Sequence, residues 1–102
     1  MQTTVNFRNQ DASDHLRRYA TDALGKLDRV GDQIETATVT ITLDGTRHKA
    51  DIRLAVPGPD LFCSESADTP QAAVDACVES LRRSLVRQKE TARPRDPAKE
   101  IW

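Results

Sequence analysis

Cations crowd the last quarter of this chain, at Arg82, Arg83, Arg87, Lys89, Arg93 and Arg95. Between them Val74, Cys77, Val78, Leu81 and Leu85 recur at helical spacing. A helix so patterned buries one stripe and offers the rest to something negatively charged. The chemistry available is charge and hydrogen-bond donation to phosphate. Arginine adds a planar fork that takes two phosphate oxygens at once and can stack on an exposed base. The formal net charge is only -1, so these cations are segregated rather than surplus. A positive surface on a near-neutral small chain points to a polyanion partner.

On a helical wheel Arg83 and Arg87 are neighbours one turn apart, and Arg82, Lys89 and Arg93 form a second stripe flanking the apolar seam. Asp75 and Glu79 stand toward the start of the same helix, leaving its later half positive. An earlier helical stretch places Lys26 at the edge of its apolar face beside Tyr19, with Arg29 further round. A third cluster, Arg47-His48-Lys49, reads as a polar hairpin loop and, functionally, as an additional phosphate or base contact. His15 has no oriented partner and reads as a surface histidine. With aromatics at 4%, the chain has no row of rings of the kind a sheet-based single-strand RNA binder uses, so contact is assigned to the helix side.

Catalysis finds no footing here. There is no glycine-rich phosphate loop, nucleophile elbow or metal-ligand cluster, and no cofactor or small-molecule substrate is expected. Cys63 and Cys77 form no CxxC pair, and neither His15 nor His48 lies at ligand spacing from them. They read as two buried free thiols in a reducing cytoplasm. No apolar run approaches a membrane span, and the N-terminus lacks the pattern of a secretory signal.

The elements that must position these cations follow from two periodicities. Thr3, Val5 and Phe7 alternate with polar neighbours, predicting a first strand. Ser13 or Asp11 caps a helix carrying Leu16, Tyr19, Ala20, Ala23, Leu24, Leu27 and Val30, with Gly31 as its left-handed stop. Residues 34–43 alternate Ala37, Val39, Ile41 and Leu43 against Thr36, Thr38, Thr40 and Thr42, predicting a strand with one wet face. Asp44-Gly45 turns the chain, and a loop through Thr46-Arg47-His48 leads to a strand burying Ala50, Ile52, Leu54 and Val56. Pro57-Gly58-Pro59-Asp60 forces the next turn, and Leu61 and Cys63 begin a short fourth strand. Asp68 or Thr69 caps the second helix, Pro70 suits its first turn, and it runs to about Glu90 or Thr91. Pro94 and Pro97 bar its continuation.

The expected architecture is therefore α+β, a two-layer sandwich in the order β-α-β-β-β-α. A four-stranded sheet carries both helices on one face, with its threonine face open. Residues 1–92 make one domain and 93–102 a flexible tail. Ile101 and Trp102 read as a frayed end.

That order and its residues resemble the short ribosome hibernation-promoting factors, also called the ribosome-associated inhibitor or sigma-54 modulation family. Leu16-Arg17 through Gly25-Lys26-Leu27 is similar to the family's Leu-Arg…Lys-Leu pattern. Ala72-Ala73-Val74-Asp75, followed by Leu81, Arg83, Leu85, Arg87 and Lys89, is similar to its second helix. The resemblance implies a cytoplasmic translation inhibitor that binds 16S-type rRNA of the small ribosomal subunit, in the groove for messenger and transfer RNA. It implies Lys26, Arg83, Arg87 and Lys89 as contacts, to which the wheel adds Arg29 and Arg82. Ser80 and Ala23 stand where family members commonly carry lysine, and Glu65 where a small inward residue is usual. The long members' C-terminal dimerisation domain has no counterpart in these residues.

Two other readings use the same scaffold. A protein-interaction module regulating a transcription factor would rely on the open threonine face or the tail. A general double-stranded RNA binder would take arbitrary duplexes as readily as ribosomes.

Overall fold

The computed structural model describes the backbone of residues 1–30 and 34–92 and the side chains of 1–29 and 34–87. The elements are β1 (Gln2–Arg8), α1 (Asp14–Val30), β2 (Thr36–Asp44), β3 (Arg47–Ala55), β4 (Leu61–Ala67) and α2 (Pro70–Ala92). They form one four-stranded sheet in the order β1-β2-β3-β4, with β1 parallel to β2 and the other two pairs antiparallel. The α+β sandwich expected from the periodicities is the fold.

The strands pair so that their apolar positions form rows across the sheet. Val5, Val39, Ile52 and Cys63 make one row, and Phe7, Ile41, Ala50 and Glu65 the next. Onto these rows α1 lays Ala20, Ala23, Leu24 and Leu27, and α2 lays Ala73, Val74, Cys77, Leu81 and Leu85, all buried. Removing this apolar surface from water is the main stabilising term. Ala23 lies inside this core, so a lysine there would have to thread its head out to solvent. Glu65 does share the inward row but stays exposed, because β4 is an edge strand.

Local capping agrees with the sequence. Ser13 Oγ accepts from the Leu16 amide at 3.2 Å, and Thr69 Oγ1 accepts from the Ala72 amide at 3.1 Å, so these two residues, not Asp11 and Asp68, are the caps. Asn9 takes a left-handed φ of 59° where β1 ends. The loop expected through Arg47 and His48 is a correction. Asp44 pairs directly with Arg47, so Gly45 and Thr46 alone make the turn. Gly45, at φ 63°, supplies the positive angle that a two-residue hairpin needs, which lets β3 begin at Arg47. Gly31 as a helix stop, and the tail from Arg93, lie outside the described residues.

The two cysteines are free, as expected, yet they are neighbours. Cys63 of β4, half-buried, lies against Cys77 of α2, which is fully buried and donates to the Ala50 carbonyl at 3.2 Å. Burial, and then the Cys63 contact, push the Cys77 thiol well above its ordinary range and keep it protonated.

Candidate nucleic-acid interface

Strand directions decide where the helical cations go. β1, β2 and β4 run one way and β3 the other. α1 follows β1 and α2 follows β4, each folding back over the same sheet face, so the helices run side by side in the same direction. Their C-terminal halves therefore lie at the same end of the molecule, Lys26 and Arg29 of α1 standing beside Asp22 and Asp28, and α2 supplying the excess of positive charge through Arg82, Arg83 and Arg87. An antiparallel pair would have put them at opposite ends.

A polar contact ties the helices together across their seam. The Tyr19 hydroxyl of α1 donates to both carboxylate oxygens of Asp75 on α2, each at 2.8 Å. This bond to Asp75, then partial burial, raises the phenol pKa above its ordinary 10.0. Seven residues beyond each partner, about 10 Å along the axes, Lys26 and Arg82 come level. Tyr19 is thus half-buried and clamps the helix pair, beyond the simple core role its spacing suggested.

The side chains of Lys26, Arg29, Arg82, Arg83 and Arg87 are all exposed. Lys26, Arg29 and Arg83 make no ion pair among the described residues. Arg82 is different: its guanidinium meets Glu79 twice, at 2.6 and 3.1 Å. The pair holds the Glu79 carboxyl below its usual range and the guanidinium above its own. Neither Asp75 nor Glu79 sits in the first turn, so the helix dipole does not account for them. Tyr19 and Arg82 do. Lys89 lies in the last turns of α2, and its side chain is outside the described residues, as is Arg93.

The Arg47-His48-Lys49 cluster is not brought to the helices. As consecutive strand residues these three alternate between faces. Arg47 and Lys49 stand on the open sheet face, with ion pairs to Asp68 at 3.3 Å and Asp51 at 3.9 Å. His48 turns to the helix-covered side between Leu43 and Ala67, its Nδ1 buried without a hydrogen-bond partner. Arg17, part of the Leu-Arg pattern, is structural: it donates to the Val5 carbonyl at 3.2 Å and lies 5.5 Å over the Phe7 ring. Arg8 and Arg53 went unnoticed as candidates, although strand alternation places both on the open face.

Among the described residues, no group of three or more His, Cys, Asp or Glu side chains could hold a metal ion, and no helix is long and apolar enough to cross a membrane.

Comparison with known proteins agrees with this architecture. The chain is 28% identical over 90 residues to a ribosome hibernation promoting factor of Azotobacter vinelandii, covering 88% of this chain and 84% of that one. It is 27% identical over 90 residues to the factor of the same name from Escherichia coli K12, covering 88% and 95%. The crystal structure of the Thermus thermophilus Protein Y N-terminal domain superposes with a TM-score of 0.80 at 29% identity, over 86% of this chain and 99% of that domain. The sigma 54 modulation protein / S30EA ribosomal protein family matches residues 3–93. With the family matched over nearly all of the described fold, this chain belongs to the sigma 54 modulation protein / S30EA ribosomal protein family.

Proposed function

We propose that this chain is a non-catalytic ribosome hibernation factor of the cytoplasm. It occupies the messenger and transfer RNA groove of the small subunit with the shared basic end of α1 and α2 against ribosomal RNA. The observation that carries this reading is the parallel run of the helices, which gathers Lys26 and Arg29 with Arg82, Arg83 and Arg87 at one end. Family membership and the names of the relatives give the ribosome as the target. The chemistry needs no turnover: phosphate contacts release counterions, and occlusion does the rest.

Lys26→Glu combined with Arg83→Glu tests the surface, one position on each helix. Both side chains are exposed, so the urea midpoint should not move. Co-sedimentation with small subunits should weaken at least tenfold, and the slope of log affinity against log salt should flatten by about two. Unchanged co-sedimentation of the folded double variant would refute the helix face as the contact.

A further inference from the structure

The sheet's open face is chemically richer than a solvated surface needs to be. Its outward positions hold four cations, Arg8, Arg47, Lys49 and Arg53, against two carboxylates, Asp44 and Asp51; Lys49 is loosely paired with Asp51 at 3.9 Å, and Arg47 with the adjoining Asp68 at 3.3 Å. Between them run hydroxyl and amide groups; one row across the strands sets Asn6, Thr40 and Ser64 beside Asp51. At one corner Phe62 is 59% exposed, although a ring of that size gains most from burial. Its cross-strand partner Arg53 sets a guanidinium 6.0 Å from the ring centroid. The scarcity of aromatics argued against a stacking platform. Here a guanidinium plane stands in for the second ring.

From this arrangement we infer that the open sheet face is a second, independent RNA surface, which takes a short single-stranded segment by stacking one base on Phe62 beside Arg53 and seating phosphates on Lys49 and Arg8. The spacing suits a short strand. Lys49 lies four residues from Arg53 along β3, roughly 13 Å, and two strands from Arg8, roughly 10 Å. Duplex RNA hides the faces of its bases, so it could use the cations but not the ring. A polypeptide partner fits less well, since protein interfaces are depleted in lysine and need an apolar centre, and Phe62 is the only large apolar side chain exposed within β1–β4. The inference does not depend on the helix face, which lies on the other side of the sheet.

The test is an NMR titration of the isotopically labelled full chain with a ten-nucleotide single strand of mixed sequence, and in parallel with a hairpin duplex. The single strand should shift amide signals at Asn6, Arg8, Lys49, Arg53 and Phe62. Phe62→Ala should weaken that site at least fivefold and Phe62→Tyr should restore it, because stacking needs the ring and not its edge. The Lys26→Glu, Arg83→Glu variant should keep the sheet shifts. Shifts confined to α1 and α2, equal shifts of the sheet by the duplex, or Phe62→Ala binding as tightly as the native chain would each overturn the inference. So would a protein partner that survives ribonuclease treatment and is lost on Phe62→Ala.

Discussion

At the scale of single residues, what matters is which charges are already spent. Arg82, which the helical wheel adds to the contacts, has much of its guanidinium engaged by Glu79. Glu79 is held below its ordinary 4.5 by its bond to Arg82, so it stays charged at neutral pH. Glu79→Gln should free that guanidinium at once. Small-subunit affinity should then rise about 1.5- to 5-fold at low salt, the range of an exposed ion pair. An unchanged affinity, measured by co-sedimentation, would take Arg82 out of the contact. The spacing of Arg82 and Glu79 was readable beforehand. The choice of Glu79 over solvent was not, because side-chain geometry decides it.

At the scale of elements, α1 carries a glycine that nothing inside the chain requires. A Cβ at Gly25 would meet no atom within 4 Å, and the residue is exposed in mid-helix. Glycine there costs helix stability through backbone entropy. Gly25→Ala should therefore raise the stability to urea by about 0.5–1 kcal/mol. A lower midpoint would mean that the backbone at Gly25 is not ordinary helix. The strands show the complementary lesson. Alternation in β2 and β3 gave the buried and open faces correctly, since a period of two allows only two sides. It also settles why Arg47 and Lys49 part company with His48, once the hairpin is known to close at Gly45-Thr46. That turn was the missing piece, because Asp44-Gly45 alone does not say how many residues the loop holds.

At the scale of the whole molecule, the helix pair is joined across its seam by Tyr19 and Asp75, in addition to the apolar stripes that both helices lay on the sheet. The bond needs a neutral phenol. Because the folded pKa lies above 10.0, its contribution is intact below about pH 10 and is lost as pH climbs through the raised folded value. Tyr19 is the one tyrosine in the chain, so phenolate absorbance reads this titration directly. Tyr19→Phe should cost about 0.5–1 kcal/mol at neutral pH, discounted for exposure, and should remove the alkaline loss. A variant as stable as the native chain, with the same alkaline profile, would show that the clamp does not hold the helices.

By itself the sequence determined the kind and order of the elements, the two candidates for each helix cap and the buried stripes. These follow from local periodicity and from side chains that bond their own backbone. Only the tertiary structure decided that the helices run in the same direction, that Cys63 meets Cys77, and that Arg53 comes to lie beside Phe62. Each of these joins residues on different elements, through strand pairing or through helices packing on the sheet. No local pattern encodes that, because the pairing minimises exposed apolar surface over the whole chain at once.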